Sequence, residues 1–241
     1  MNPSSAPPTD ARAIYGEGYA ERYGALYIDP WRRKHQLNLD NLTSILDGLE
    51  APEPVWIDMA CGQAWHFAQF QGRGLRMLGL DLSPAQLARA RAAAPEASFV
   101  RADMARAPIA PGSADLVTSF WAAYAYLDDA ARIRAVVADA AGWVRPGGAF
   151  YMEVLLAKDL ESFNASRFAE GAGFRVVPRS SDYVAWAYED VGGLHLMTSP
   201  PLELFTEALS RAFDRIETVH DGGFMVHVRA TNKSALISHN C

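Results

Sequence analysis

The sequence predicts an α/β fold in which a largely parallel sheet carries helices on both faces. Short apolar runs alternate with helical patterns between residues 55 and 155, and this alternation is typical of strand–helix–strand units. In the last third of the chain, two β-rich runs are joined by Asp221-Gly222-Gly223, which predicts an antiparallel hairpin. The chain has 241 residues, half of them apolar, and this is enough for one large core.

The individual elements are predicted from the spacing of apolar residues and from the turns between them. Helices begin where capping residues precede a helical pattern, as Ser83 and Pro84 do. The predicted helices cover residues 13–27, 31–49, 64–70, 84–94, 128–144 and 201–212. Strands are predicted within residues 55–60, 76–82, 97–103, 111–121 and 149–155, with extended segments over 174–200 and the hairpin over 213–230. The first five strands and the hairpin together give a seven-stranded sheet.

This pattern divides the chain into five parts. Residues 1–12 lack an apolar core and are expected to form a disordered tail. An N-terminal helical lid over 13–50 precedes a cofactor-binding core over 51–156. A small inserted β-rich cap over 157–199 follows, and a C-terminal helix and hairpin over 200–241 complete the core.

The first helical pattern carries a row of aromatic residues. Tyr15, Tyr19, Tyr23 and Tyr27 recur every four residues and are expected to share one helix face. Three glycines weaken this helix, which suits a segment that opens and closes over a site. These tyrosines either pack in the core, which is the interpretation favoured for Tyr23 and Tyr27, or belong to a lid whose first tyrosines touch a ligand.

Charge and cysteine content argue against several classes of partner. The 22 basic and 28 acidic residues give a net charge of −6, and they form no basic stripe of the kind that binds nucleic acid. No apolar run is long enough to span a bilayer, and two cysteines provide no disulfide framework. We therefore expect a cytoplasmic monomer or homodimer that binds neither membranes nor nucleic acid.

The stretch IDMACGQAWHF, residues 57–67, has the position of a nucleotide-binding loop between a strand and a helix. Such loops commonly carry three glycines, which allow the backbone to approach a pyrophosphate. This loop keeps only Gly62, with Ala60 and Ala64 at the flanking positions, so a nicotinamide dinucleotide is disfavoured. S-adenosylmethionine has a sulfonium and an amino-acid tail but no phosphate, and it does not need the missing glycines.

Three aspartates that lie in or just after predicted strands suit the polar groups of this ligand. Asp81 ends the second strand, nineteen positions after Gly62, where an acidic residue is expected to accept from both ribose hydroxyls. Asp103 follows the third strand, where a carboxylate can accept from the adenine amino group. Asp58, at the tip of the first strand, either lies near the ammonium group of the ligand or caps the next helix.

The order and spacing of these motifs resemble the class I S-adenosylmethionine-dependent methyltransferases. The matching stretches are VWIDMACGQAWHF, MLGLDLSPAQLARAR, FVRADMARAPIAPGSADLVTSFW and WVRPGGAFYMEVL, and the terminal hairpin matches the reversed last strand of that family. The resemblance implies a Rossmann-like sheet with S-adenosyl-L-methionine as cofactor. The ACG-x-x-x-H loop and the tyrosine-rich helix are most similar to methyltransferases of small molecules, such as amino sugars and other bacterial metabolites. The cofactor contacts that the resemblance implies come from Ala60, Cys61, Gly62, Asp81, Leu82, Asp103, Met104 and Ser119 to Trp121.

Two residues are candidates for catalysis. His66, in the first helical turn after the loop, either contacts the acceptor or packs there. Tyr126 follows the fourth strand, where members of the family often carry histidine, and it either orients the nucleophile or is a packed aromatic. Tyr15, near the start of the lid, is expected to touch the cofactor. Cys61 and His66 can be paired as metal ligands, but no further ligands cluster with them, and no metal site is predicted.

The sequence thus favours methyl transfer from S-adenosylmethionine to a nitrogen or oxygen of a small-molecule acceptor. Transfer is an in-line displacement that depends mainly on positioning. A hydroxyl acceptor needs a base, whereas a neutral amine does not. The alternative is a binding or scaffold protein that keeps the fold without the transfer, and the bulky Trp65 after the loop supports it.

Overall fold

The computed structural model describes residues 15–28, 32–165, 169, 175–181, 184–190 and 193–233. The tail predicted over residues 1–12 lies outside the described residues, as do Gly192 and Cys241. All residues that the sequence suggests for the site are described.

A seven-stranded sheet forms the centre of the fold, in the order β3-β2-β1-β4-β5-β10-β9. The first five strands pair in parallel, and β10 lies antiparallel between β5 and β9, which confirms the predicted sheet with its terminal hairpin. The order in which strands are added to the sheet reverses at β1, which lies between β2 and β4. Ligands of such sheets bind at the carboxyl ends of the strands beside this reversal. The seven strands are β1 (Val55–Met59), β2 (Arg76–Asp81), β3 (Ser98–Arg101), β4 (Ala114–Ser119), β5 (Val144–Leu155), β9 (Phe213–His220) and β10 (Met225–Lys233).

Helices cover both faces of this sheet, as predicted. Trp56 and Ile57 are adjacent on β1 and point to opposite faces. Trp56 packs into the apolar cluster that includes α2 to α4, and Ile57 packs into the larger cluster with α5 and α7. The helices are α1 (Glu17–Tyr23), α2 (Arg32–Asp47), α3 (Trp65–Gln69), α4 (Pro84–Ala93), α5 (Ala130–Trp143), α6 (Leu160–Asn164) and α7 (Leu202–Ser210). None of the helices in the described part of the chain combines the length and the apolar character that a membrane crossing requires.

The N-terminal segment differs from the single helix predicted over residues 13–27. Helix α1 begins at Glu17, and a π-helix over Gly24–Ile28 follows it directly. Gly16 provides no side-chain cap and Gly24 is a poor helix former, so the regular helix is confined to seven residues. The prediction of one continuous helix is therefore wrong, because Tyr15 lies in the turn before α1 and Tyr27 lies in the π-helix. The four tyrosine rings still follow one another, at centroid distances of 5.0, 6.5 and 5.1 Å.

The predicted inserted cap is a three-stranded antiparallel sheet of β6 (Arg175–Pro178), β7 (Ala185–Asp190) and β8 (Gly193–Thr198). Trp186, Tyr188 and Met197 of this small sheet are buried against the larger apolar cluster. The inner face of the cap therefore lies over the carboxyl end of the main sheet, next to the short 3₁₀ turn Ala123–Tyr126 that follows β4.

Candidate functional site

A cavity of about 990 Å³, measured with its open mouth, lies at the carboxyl ends of β1, β2 and β4. It brings together most of the residues that the sequence suggests. These are Tyr15, Asp58, Ala60, Cys61, Gly62, His66, Asp81, Leu82, Met104, Phe120, Trp121 and Tyr126. We call this space the first cavity.

The loop after β1 approaches the first cavity with an unusual backbone. Ala60, Gly62 and Ala64 all have left-handed dihedral angles, with φ of 56°, 54° and 57°. For an alanine this conformation costs about 1–2 kcal/mol, so the surrounding packing holds the loop in shape. Gly79 on β2 contributes, because a Cβ there would lie 2.6 Å from the Cys61 sulfur. The Cys61 side chain is thus packed against the sheet.

The carboxylate of Asp81 connects this loop to the start of α4. Its Oδ2 accepts from the Gly62 N–H at 2.9 Å, and its Oδ1 accepts from the Ser83 N–H at 2.8 Å. Burial raises the pKa of Asp81, and the backbone N–H groups that it accepts from oppose the rise. Because each carboxylate oxygen has more than one lone pair, Asp81 keeps acceptor capacity toward the cavity that it lines.

A second carboxylate, Asp58, makes this wall acidic. Asp58 is buried, and its Oδ1 accepts from the Thr118 hydroxyl at 2.7 Å. Burial raises the pKa of Asp58, and the Thr118 hydrogen bond opposes the rise. The described residues that line the first cavity include no lysine or arginine. Such a lining suits a ligand with a positive charge and hydroxyl donors, and it opposes a pyrophosphate.

A second cavity, about 640 Å³ with its mouth, adjoins the first and is mainly apolar. Trp121 lines both cavities, and Tyr188 of the second is hydrogen-bonded to Tyr126 of the first. These three aromatic residues form the boundary between the two spaces. The apolar residues of the second cavity are Leu155, Leu160, Phe163, Val176, Trp186, Met197, Phe224 and Met225.

A network of hydrogen bonds converges on the Tyr126 hydroxyl at this boundary. It lies 2.8 Å from the Tyr15 hydroxyl, 3.0 Å from the Tyr188 hydroxyl and 2.6 Å from Nδ1 of His195. The other ring nitrogen of His195 lies 2.9 Å from Asp190 Oδ1. Tyr126 is therefore the meeting point of the N-terminal segment, the 3₁₀ turn after β4 and the cap.

Asp190 completes the network at the end of β7. Its Oδ2 accepts from the hydroxyls of Tyr19 at 2.7 Å and Tyr27 at 2.9 Å, and its side chain is only 1% exposed. Sequence reasoning predicted neither Asp190 nor this arrangement of His195. The available signal was the register of the β7–β8 hairpin, in which Tyr188 lies opposite His195.

Comparison with known proteins agrees with this geometry. Residues 57–148 match the protein family described as a methyltransferase domain. The chain contains a methyltransferase domain, and its fold is that of the class I S-adenosylmethionine-dependent methyltransferases. S-adenosylmethionine is the cofactor of this family, and the acidic, cation-free first cavity fits it.

Individual relatives of this methyltransferase are distant. An uncharacterized methyltransferase of Synechocystis is 28% identical over 129 residues, which are 54% of this chain and 57% of the relative. The alignment thus spans little more than half the length of that relative. Two solved structures share the fold. One is DesVI of Streptomyces venezuelae, with a TM-score of 0.66, 20% identity and coverage of 88% of this chain and 98% of that one. The other is CalS10 of Micromonospora echinaspora, with a TM-score of 0.62, 23% identity and coverage of 87% of this chain and 96% of that one.

Two of the suggested cofactor residues of the methyltransferase do not line the cavity. The Asp103 carboxylate caps the 3₁₀ turn Met104–Arg106 by accepting from the Ala105 N–H at 3.0 Å, so its neighbour Met104 lines the wall instead. Ser119 is fully buried in β4, and its hydroxyl has no hydrogen-bond partner among the described residues. The cofactor contacts expected from Asp103 and Ser119 stay predictions.

Gln86, in the first turn of α4, is a cavity residue that sequence reasoning missed. Its side chain is 1% exposed, and neither atom of its amide group has a hydrogen-bond partner among the described residues. An unpaired buried amide is costly, and a bound ligand with polar groups is one way to satisfy it. No pattern in the sequence distinguishes this glutamine from a surface residue.

His66 lies on the wall of the first cavity, but its surroundings are those of a packed residue. Its ring stacks on Phe120 at a centroid distance of 3.7 Å, and Nε2 lies 3.4 Å from the Asn38 amide nitrogen. Burial, with smaller contributions from Lys34 and His35, lowers the pKa of His66 well below its usual value. The ring is therefore neutral at physiological pH and a weak proton acceptor, and its predicted catalytic role stays a prediction.

Cys61 and His66 have no further candidate metal ligands beside them in the described part of the chain. Within the described ranges, no group of three or more histidine, cysteine, aspartate or glutamate side chains is placed to hold a metal ion. The Cys61 sulfur faces Gly79, whereas the His66 ring is packed between Phe120 and Asn38.

The N-terminal segment covers the first cavity of the methyltransferase. The Ser83 hydroxyl donates to the Tyr15 carbonyl at 2.5 Å, and the Gln63 amide donates to the Ala20 carbonyl at 2.5 Å. Tyr15 lines the cavity, as expected. So does Tyr23, for which simple packing was expected, and Tyr27 lines the second cavity.

We expect this segment to act as a lid that becomes more ordered when the cofactor binds. Its cohesion comes from these contacts more than from helix propensity, because α1 has only seven residues. Hydrogen exchange over residues 15–28 should therefore slow at least several-fold when S-adenosylhomocysteine is added. Equal and strong protection in both states would make the segment a fixed structural element.

Proposed function

We propose that the protein transfers the methyl group of S-adenosylmethionine to a nitrogen or oxygen atom of a small molecule held in the second cavity. The observation that carries this proposal is the meeting of two unlike cavities at Trp121. Among the described residues, the first has an acidic lining without lysine or arginine, and the second is mainly apolar, with Lys34 and Asp221 as its charged residues. This arrangement suits a cationic donor on one side and an acceptor with a hydrophobic body on the other.

The chain contributes binding and orientation to the reaction. Asp81 is placed to accept from the ribose hydroxyls, Asp58 to pair with the ammonium group, and Gln86 to bond a polar edge of the adenosine. The aromatic rings of Tyr15 and Trp121 line the same space and can stabilise a positive sulfonium. When bound, S-adenosylmethionine supplies an electrophilic methyl group, so the main task of the protein is to align the acceptor with it.

The lining of the second cavity supports an acceptor with an apolar body. CalS10 is an amino pentose methyltransferase involved in calicheamicin biosynthesis, and the shared fold is consistent with a metabolite acceptor here. The wall of this cavity in the present protein is rich in aromatic and aliphatic side chains. An aromatic or aliphatic metabolite with one reactive polar atom fits such a wall better than a fully hydroxylated sugar does.

Calorimetry and a transfer assay test this function in two steps. We expect S-adenosylmethionine and S-adenosylhomocysteine to bind, and a nicotinamide dinucleotide not to bind at comparable concentration. A radiolabelled methyl group should then appear on members of a panel of apolar alcohols, phenols and amines. Preferential binding of the dinucleotide would contradict the proposal. Tight cofactor binding without transfer to any panel member would favour a binding or scaffold protein.

A further inference from the structure

We propose that Tyr126, His195 and Asp190 form a proton relay that accepts the proton of an acceptor hydroxyl, so that the protein methylates oxygen. This inference rests on the proposed methyl transfer and narrows its acceptor to an alcohol or a phenol. It assigns Tyr126 to direct contact with the acceptor, and His195 and Asp190 to positions behind it.

The direction of the relay follows from the hydrogen bonds of Asp190. Its two oxygens receive the hydroxyls of Tyr19 and Tyr27 and face the Nε2 atom of His195. Three donors around one buried carboxylate stabilise its ionised form, and this places a hydrogen on Nε2. The opposite ring atom, Nδ1, then carries a lone pair toward the Tyr126 hydroxyl at 2.6 Å.

His195 is enclosed by aromatic rings and by the carboxylate of Asp190. Tyr188 stacks on it at a centroid distance of 4.0 Å, and the rings of Tyr15, Tyr19 and Tyr126 lie 6.0–6.2 Å away. Nε2 of His195 lies 2.9 Å from Asp190 Oδ1, and both side chains are at most 1% exposed. A buried imidazole held between a hydroxyl and a carboxylate has the arrangement of the general base in a catalytic triad.

The Tyr126 hydroxyl passes the proton on to His195 and is not its final acceptor. Burial, followed by the neighbouring tyrosine Tyr188, raises the pKa of Tyr126 well above 10, so its hydroxyl stays protonated at physiological pH. Because Tyr126 donates to Nδ1, its oxygen accepts from the hydroxyls of Tyr15 and Tyr188. Tyr15 also lines the first cavity, and the acceptor hydroxyl takes the place of the Tyr15 hydroxyl as the donor to Tyr126.

The acceptor oxygen forms a bond to the methyl carbon while the carbon–sulfur bond breaks. The electron pair of the broken bond stays on the sulfur, and S-adenosylhomocysteine is the product that leaves. The acceptor proton moves to the Tyr126 oxygen, and the Tyr126 proton moves to Nδ1 of His195. Asp190 stabilises the resulting imidazolium until it loses the proton to solvent. A neutral amine would need no such base, because its methylated product remains protonated.

Nitrogen NMR tests the relay without any acceptor. Protein labelled with ¹⁵N in histidine is saturated with S-adenosylhomocysteine, and the His195 signals are identified by their loss in His195→Gln. We expect hydrogen on Nε2, an accepting Nδ1, and a shift of the Nδ1 signal of several parts per million in Tyr126→Phe. Hydrogen on Nδ1 of the neutral ring would overturn the relay. Failure of S-adenosylhomocysteine to bind would instead count against the proposed function itself.

Transfer assays test the acceptor class with phenols of one to three rings and with the aryl amines of the same skeletons. We expect methyl transfer to the phenols, reduced about 100-fold or more in Tyr126→Phe and in His195→Gln. The His195→Gln rate should also rise with pH up to the pKa of the phenol used. Tyr124→Phe removes a buried hydroxyl two residues away, outside both cavities, and should keep most of the turnover. Transfer to the amines alone, or to neither class, would overturn the hydroxyl assignment, as would equal losses in the Tyr124 and Tyr126 variants.

Discussion

Replacing Asp81 with alanine weakens the binding of S-adenosylmethionine by about 100-fold or more. In the proposed site, Asp81 accepts two charge-assisted hydrogen bonds from the ribose hydroxyls, each worth about 1.5–3 kcal/mol, and we expect the variant to lose both. It also leaves the Gly62 and Ser83 N–H groups without the acceptor that joins the loop to α4. Both effects act on the bound state, and a loss of about 3 kcal/mol corresponds to about 100-fold in the dissociation constant.

Calorimetry with S-adenosylhomocysteine measures this loss, and thermal unfolding shows whether the variant is still folded. Asp103→Ala is the matched control, because it removes an aspartate at the same edge of the sheet that caps a turn and does not line the cavity. We expect at most a few-fold weakening in the control. Equal losses in the two variants, or unchanged affinity in Asp81→Ala, would show that the cofactor lies elsewhere.

Replacing Lys34 with methionine destabilises the folded protein by about 3–5 kcal/mol, the range for breaking a buried ion pair. The ammonium of Lys34 lies 2.7 Å from the Glu153 carboxylate, and both side chains are at most 5% exposed. Burial alone would raise the pKa of Glu153, but Lys34 and His227 lower it, so the carboxylate is ionised. Without Lys34, this charge remains buried with the Trp121 N–H as a donor at 2.7 Å.

Urea unfolding of three proteins checks this prediction: the unchanged chain, Lys34→Met, and Lys34→Met combined with Glu153→Gln. The double variant removes the uncompensated charge and should recover more than half of the lost free energy of unfolding. A single variant as stable as the unchanged chain would mean that the pair contributes little. A double variant no more stable than the single one would show that Lys34 acts mainly by packing on the Trp121 ring, 3.6 Å below its ammonium.

Local sequence signals predicted the central sheet and its carboxyl edge correctly. Ser83 and Pro84 begin α4 as expected, with the Ser83 hydroxyl accepting from the Gln86 N–H, and this fixes Asp81 at the end of β2. Asp58 lies near the end of β1, and the loop around Gly62 follows that strand directly. These positions depend on residues within a few places along the chain, so spacing was sufficient to place them.

The remaining site residues depend on contacts between distant segments. Asp190 and His195 reach Tyr126 only because the β7–β8 hairpin folds over the end of β4, more than sixty residues earlier in the chain. The cap formed by Asp103 is local, but the strand pattern did not predict it. The Asp103 carboxylate accepts from the Ala105 N–H two residues later, and aspartates after strands commonly bond a nearby backbone N–H in this way.

The lid is joined to the cap in two places, one of them through the hydroxyl of Tyr126. The segment that carries Tyr15 also carries Tyr19 and Tyr27, which bind Asp190 on the cap. The hydrogen bonds that must break for the cofactor to leave are therefore the same ones that a bound acceptor replaces. We expect a compulsory order of binding, with cofactor first, and turnover limited by departure of the spent cofactor. In such a scheme, S-adenosylhomocysteine competes with S-adenosylmethionine but not with the acceptor.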